Sequence, residues 1–314
     1  MTPQMITYDD VISRLTWPEA VETLRAGHLL PKAEVGDLFL GPPEGTLLSR
    51  AAYIEGLGYG LKSVTVFGRN PQAGLPSVQG AMFVFEPEHG QLQAIIESRL
   101  VTEFKTAADS VLGATLLARP DSQSLLIVGA GTVARSLIRA YSAVMPSLRR
   151  IGIWSRRAAQ ADALAQEFDL DGIEVLAEPD LPAAAARADI ISTATMARDP
   201  ILKADWVRPG THVDLIGAFK ADMREADDAL ISTGSLYVDS RDTTIDHIGE
   251  LKIPIAAGVI TAEAVRGDLY DLIKSPACGR QKAEEITIFK NGGGAHLDLM
   301  IARFIAARAE REAG

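Results

Sequence analysis

The chain has 314 residues, 47% hydrophobic and 23% charged, which suits one large globular domain or two ordinary ones and excludes wholesale disorder. Its 31 basic against 41 acidic residues give a formal charge of −10, and with no basic run this argues against nucleic acid or an anionic membrane as partner. No apolar stretch is long enough to span a bilayer, the start MTPQMITYDD has neither the basic nor the apolar region of a signal peptide, and the single Cys278 precludes a disulfide within the chain, so a cytoplasmic setting is expected.

Five histidines are scattered along the chain. His247 stands near Glu250, but no HExxH or CxxC pattern completes a ligand set, so no metal site is expected.

Apolar residues at helical spacing predict a helix over 11–26. Strands are predicted at LKSVTVF (61–67), AMFVF (81–85) and QLQAIIES (91–98), separated by turn clusters such as GRNPQAGLP, and their spacing suggests an antiparallel sheet. A helix is expected from 102 to about 118, ended by Pro120 and Asp121. From Ser124 the texture changes. Short apolar strands (LLIV, IGIW, IEVL, DIIST, HVDLI, LYVD) alternate with Ala- and Arg-rich helical stretches, the pattern of a parallel sheet covered on both faces. The stretch 295–311 reads as an amphipathic helix that packs back on the first domain. The expected class is therefore α/β: a Rossmann-type doubly wound sheet at 120–289 beside an α+β domain formed by 1–119 and 290–314.

The sharpest motif is LLIVGAGTVARSLIRAY (125–141). It places Gly129, Ala130, Gly131, Thr132, Val133 and Ala134 between a buried strand and a helix whose inward side is read as Val133, Leu137, Ala140 and Val144. This is GxGxxA in the strand–turn–helix setting that dinucleotide binding needs. The first glycine allows the tight turn, the second lets a pyrophosphate approach the backbone, and the small Ala134 lets helix and strand pack closely. The helix N-terminus then offers unpaired N–H groups to the phosphates. Dinucleotide-binding domains that prefer NAD place an acid after the second strand, to hold the ribose 2′-hydroxyl. Here the sequence is Ser155, Arg156, Arg157, which suits a 2′-phosphate, so NADP(H) is expected in preference to NAD(H).

The segments KSVTVFGRNPQAGLPSVQG, ESRLVTEFKTAADSVLGA, GAGTVA, IWSR, DIISTAT, THVDLIGAFKADMREADD, LYVDS and ITIFKNGGGAHLD occur in an order and spacing that resembles the ornithine cyclodeaminase/mu-crystallin family over nearly the whole chain. The resemblance implies a Rossmann domain and a substrate domain through which two copies pair as a homodimer. It implies that Thr106, Thr193, Ala194, Thr195, Ile216 and Gly217 border the cofactor and that Asp298 helps close the substrate site.

Three positions discriminate among family activities. Lys62 matches the family's substrate-site lysine; alternation places it with Val64 and Val66, either snorkelling from a rim or aimed into a pocket. Lys105 stands where the family motif TxxRTAA has a carboxylate-gripping arginine, so the charge is kept and the planar fork is lost. A further upstream substrate cation is represented by Arg50 or Lys32. Phe219 occupies the position of the cyclodeaminase catalytic aspartate, and a phenyl ring can neither accept a proton nor hold an attacking amine. Asp222 lies one turn on, while Asp227 and Asp228 read as helix-face charges; Met82 and Phe104, with Phe219, are pocket-narrowing or core side chains.

The resemblance, with Phe219, implies an NADPH-dependent reductase of a small imino acid such as Δ1-pyrroline-2-carboxylate, with Lys105 on the carboxylate and Lys62 either binding the carboxylate, polarising the iminium or protonating its nitrogen. Two alternatives stand beside it: an NAD-using cyclodeaminase, and a non-catalytic NADPH-binding protein.

Overall fold

In the computed structural model, which describes residues 2–42 and 44–310, the periodic stretch at 11–26 does not form one helix. A short helix α1 (Tyr8–Val11) and a 3-10 turn come first, and α2 (Trp17–Gly27) begins afresh after an extended Thr16. Pro18 in the first turn of α2 fixes the new start, and Thr16 Oγ1 donates to Glu19 at 2.7 Å.

The described residues divide into two units: those up to Lys105 with those from Gly294, and Thr106–Gly293. The division falls inside one long helix, α3 (Ser98–Leu117), and so ahead of the 119/120 boundary read from the sequence. The cause is the second half of that helix, whose Ser110 donates to Asp214 and whose Gly113 leaves room for Phe289, both on the parallel sheet. Residues 1 and 311–314, including Arg311 at the end of the expected C-terminal helix, lie outside the described residues.

The first unit is built on a six-stranded sheet of order β1-β6-β5-β4-β3-β2. Its strands are β1 (Gln4–Ile6), β2 (Glu34–Leu40), β3 (Thr46–Ile54), β4 (Gly58–Val66), β5 (Val78–Phe85) and β6 (Leu92–Glu97). All pairings are antiparallel except β1 with β6. The first three strands were not foreseen. β2 is an edge strand exposed at all seven positions, so it carries no in–out alternation, and the strand-favouring composition of β3 is broken by Ser49, Arg50, Ala51 and Ala52.

The second unit carries an eight-stranded parallel sheet of order β13-β12-β14-β11-β10-β7-β8-β9. In chain order it runs β7 (Ser124–Val128), α4 (Thr132–Val144), β8 (Arg150–Trp154), α5 (Ala158–Gln166), β9 (Glu174–Ala177), α6 (Leu181–Ala185), β10 (Ile190–Thr193) and β11 (His212–Leu215). It continues through α7 (Asp228–Thr233), β12 (Ser235–Val238), α8 (Arg241–Thr244), α9 (Gly249–Ala256), β13 (Val265–Gly267), α10 (Leu269–Lys274) and β14 (Thr287–Lys290). The chain moves outward from β7 to β9 and then returns to place β10 on β7's other side, so strand order reverses there. Such a switch point opens a crevice at the carboxyl ends of the strands.

The chain ends, within the described residues, in α11 (Ala295–Glu310), which crosses β2 to β6 of the first unit with α2 beside it. It is amphipathic only near its end. Every residue from Ala295 to Ala302 is buried, as in a helix enclosed on all sides, and this encloses His296 and Asp298.

Candidate active site

The glycine loop joins β7 to α4 at the switch point. Gly129 has φ +129°, a conformation open to glycine, and its N–H donates to the Trp154 carbonyl at 2.8 Å. A Cβ there would lie 2.5 Å from the Ala194 carbonyl oxygen. Gly131 is the N-cap of α4, and a Cβ on it would meet no atom within 4 Å, which is the open approach that a pyrophosphate requires. Thr132 and Gly131 are exposed, Val133 is half-buried, and Ala134 is fully buried against the sheet. The inward side of α4 is Ala134, Leu137, Ile138 and Tyr141, turned by one residue from the expected Val133, Leu137, Ala140 and Val144; Ala140 is buried as well. These residues fit a dinucleotide.

At the end of β8, Ser155 is half-buried and Arg156 and Arg157 are exposed; Arg157 caps α5, its N–H reaching Ser155 Oγ at 3.4 Å. No carboxylate occupies this turn. On the other side of the switch point, Thr193 ends β10, with Ala194 and Thr195 following it, and Ile216 and Gly217 follow β11. The N–H groups of Ile216 and Gly217 both donate to the Thr193 carbonyl, at 2.9 and 3.3 Å. Thr106 lies at the start of this unit's share of α3, where its carbonyl accepts from Asn291 Nδ2 at 3.0 Å.

Phe219 follows on the loop after β11 and is 51% exposed, with Lys220 Nζ 5.5 Å from its ring centre. The neighbouring acids are engaged elsewhere. Asp222 pairs with Arg198 at 3.1 Å, Asp227 caps α7 by accepting from Leu230 N–H, and Asp228 pairs with Arg224 at 2.7 Å. Asp227 is thus a cap where a free helix-face charge was expected.

The first unit holds a second constellation. Cross-strand register sets Asp37, Arg50, Lys62, Met82 and Ile96 side by side across β2, β3, β4, β5 and β6. Directly opposed residues project to the same face, so Arg50 and Lys62 are neighbours. Arg50 donates to Asp37 through Nε and Nη2, the latter at 2.8 Å. Lys62 is 5% exposed, so it does not snorkel from a rim. Its Nζ donates to Asp298 Oδ1 of α11 at 2.6 Å, while Oδ2 has no hydrogen-bond partner among the described residues.

Burial alone would raise the Asp298 carboxyl, but the charges of Lys62, Lys105 and Arg50 outweigh it and hold the group below its ordinary value. His296, two residues earlier on α11, is pushed well below the ordinary histidine value by burial and by His28, Lys105, Arg50 and Lys32. It is therefore neutral at physiological pH. Arg50, Lys62, Lys105 and Lys32 thus act on one buried region, with Asp298 as its anion. Lys105 is itself buried on α3, next to Phe104, which is buried and stacks on Trp17 at 4.3 Å; Phe104 and the fully buried Met82 are core residues. Such a cluster suits a small carboxylate.

Residues 42–313 match the family model for the ornithine cyclodeaminase/mu-crystallin family. The chain belongs to that family. It is 65% identical over 306 residues to a Δ1-pyrroline-2-carboxylate reductase of Paracoccus denitrificans (strain Pd 1222), covering 97% of this chain and 96% of the relative. Among solved structures it resembles Thermococcus litoralis Δ1-pyrroline-2-carboxylate reductase in complex with NADH and L-proline, with a TM-score of 0.93 at 28% identity, covering 99% and 98% of the two chains. An archaeal alanine dehydrogenase dimer with bound NAD gives a TM-score of 0.92 at 29% identity over 100% and 98%.

His296 and Glu225 were not singled out by sequence reasoning as site residues. The stretch GGAHLD carries the first, but a histidine on an apolar helix reads as core; Glu225 stands in ADMREADD among other charged residues with no pattern that sets it apart.

Proposed function

We propose that this protein is an NADPH-dependent reductase of a small cyclic imino acid, Δ1-pyrroline-2-carboxylate being the leading substrate and proline its product. The observation that carries the reading is Phe219. It stands where lyase chemistry would need a carboxylate, and Asp222, Asp227 and Asp228 around it are committed to ion pairs or a cap. The 65% identity to the Paracoccus reductase supports the same choice.

When bound, a reduced nicotinamide supplies a hydrogen with its bonding electron pair to the imine carbon, so the C=N bond becomes CH–N and the nitrogen must be neutralised by a proton. Gly129, Gly131, Thr132, Val133 and Ala134 hold the pyrophosphate, and Thr106, Thr193, Ala194, Thr195, Ile216 and Gly217 border the rest of the cofactor. Ser155, Arg156 and Arg157 favour a 2′-phosphate over a bare ribose. Lys105 and Arg50 take the substrate carboxylate. Lys62 delivers the proton, and Asp298, hydrogen-bonded to it at 2.6 Å, keeps it in place.

The exposed Val35, Leu38, Phe39 and Leu40 on edge strand β2 support pairing of two copies through the first unit. Sedimentation tests this, a monomer being the contrary result. The activity is tested by supplying Δ1-pyrroline-2-carboxylate or its six-membered homologue with NADPH, and in parallel ornithine with NAD⁺. Oxidation of NADPH with matching proline or pipecolate is expected; ammonia released from ornithine without imine reduction would contradict the reading.

A further inference from the structure

Glu225 takes no part in the chemistry above, yet it is fully buried and its carboxylate binds two separate loops. Oε1 accepts from the backbone N–H and the hydroxyl of Thr195, at 2.8 and 2.7 Å. Oε2 accepts from the Thr193 hydroxyl and the Gly217 N–H, both at 2.7 Å. Four donors, one from the last residue of β10 and three from the loops after β10 and β11, therefore converge on one side chain. Gly217 permits this closeness, since a Cβ there would overlap the Thr195 carbonyl and the Glu225 carboxylate.

The segment that carries Glu225 is itself held. Its own N–H and that of Ala226 donate to Glu250 Oε2 and Oε1, at 2.8 and 2.9 Å, and its carbonyl accepts from Ile201 and Leu202, both at 2.9 Å. Lys290 is buried nearby with Nζ on the Leu215 carbonyl at 2.8 Å, and its charge interacts with both glutamates. Burying a carboxylate is costly unless it is hydrogen-bonded and compensated. Here both conditions are met for a group whose bonds all go to the end of β10 and these two loops.

The loops have distinct duties. The turn after β8 takes the adenosine ribose in a doubly wound sheet, so the adenosine half of a dinucleotide lies on the β7–β8 side of the switch point. The other half lies on the β10–β11 side, where Thr193, Thr195 and Gly217 are.

We propose that Glu225 is a positioning residue for the nicotinamide half of the cofactor, fixing the loops after β10 and β11 by accepting four hydrogen bonds, with no part in holding the adenosine half. The proposal rests on the reading that a nicotinamide dinucleotide occupies the glycine loop. A carboxylate is required. An amide in its place, whichever way it turns, sets its NH₂ against the N–H of Thr195 or of Gly217, and a backbone N–H cannot reverse its role as a hydroxyl can.

The test compares wild type and Glu225→Gln by calorimetric titration with NADPH and with 2′-phospho-ADP-ribose, which lacks nicotinamide. The variant is expected to bind NADPH about tenfold or more weakly, while the fragment binds within about twofold of wild type. Should the variant fail to fold, Thr195→Val, which removes one of the four bonds, is expected to show the same pattern at about threefold. Equal weakening of NADPH and fragment, or no weakening of either, overturns the positioning role while leaving the cofactor reading intact. Failure of the wild type to bind either ligand overturns both.

Discussion

Replacing Lys62 by methionine keeps the unbranched stem and removes the ammonium that lies 2.6 Å from Asp298. The pair is enclosed, with side-chain exposures of 7% and 1%, so the lost charge leaves a carboxylate with neither water nor a direct partner. Breaking a buried pair from one side costs about 3–5 kcal/mol. Lys105 and Arg50 still act on Asp298, which points to the lower end, about 3 kcal/mol. At roughly 2–4 °C per kcal/mol, the melting temperature should fall by about 6–12 °C. Turnover should fall by about 100-fold or more if Lys62 is the proton donor. The double variant Lys62→Met/Asp298→Asn separates the two roles: removing both charges should restore most of the stability and none of the turnover. The assays are a thermal melt and the loss of reduced-nicotinamide absorbance. A folded Lys62→Met protein within about threefold of wild-type turnover would refute the proton-donor role, because general acid catalysis contributes far more than that. Recovery of turnover together with stability in the double variant would make the lysine structural only.

Three further outcomes follow from the same structure. Gly131→Ala should melt within about 2 °C of wild type, since its Cβ meets nothing within 4 Å, yet bind dinucleotide about tenfold more weakly by titration; unchanged affinity would remove the pyrophosphate from this loop. Arg156→Ala/Arg157→Ala should lose about tenfold in NADPH affinity and keep NADH affinity within about twofold, and equal losses would contradict a 2′-phosphate site. His212 is held neutral by burial, and further by the Arg280 charge, its value lowered from 6.5 to about 3. The folded chain therefore resists a proton that the unfolded chain accepts below about pH 6.5, and the stability His212 contributes is full above that value and lost as pH falls towards about 3. Between about pH 6.5 and 5 the loss is about 2 kcal/mol, so His212→Asn should gain that much on wild type over the interval in denaturant titrations; a constant difference would contradict burial of the neutral ring.

The parallel sheet was legible because its strands are covered on both faces. LLIV, IGIW, DIIST and HVDLI are short apolar runs spaced between helical stretches, and all form strands. The first unit was harder to read. β2 is exposed on both faces, so no alternation marks it, and the break before α2 depends on Pro18, which the apolar spacing of 11–26 conceals. Alternation placed Lys62 on one face with Val64 and Val66 and left open a rim or a pocket; burial of Lys62 and Val64 decides against the rim. Its partner was beyond any local pattern, since Asp298 lies 236 residues away and is brought to β4 only by the packing of α11. Phe219 was legible because it is a residue that the chemistry excludes. Glu225 was not, because three of the groups it binds are a hydroxyl and an N–H of one threonine and the N–H of a glycine, which leave no signature in sequence.

The central claim is imine reduction, and the product's isotope content tests it most directly. With Δ1-pyrroline-2-carboxylate and NADPH deuterated at the transferable position of C4, the proline formed should carry one deuterium at its α-carbon, equal in amount to the NADPH consumed. Unlabelled proline, or ammonia from ornithine with no net oxidation of the cofactor, would contradict the account and return the chain to the lyase branch of its family.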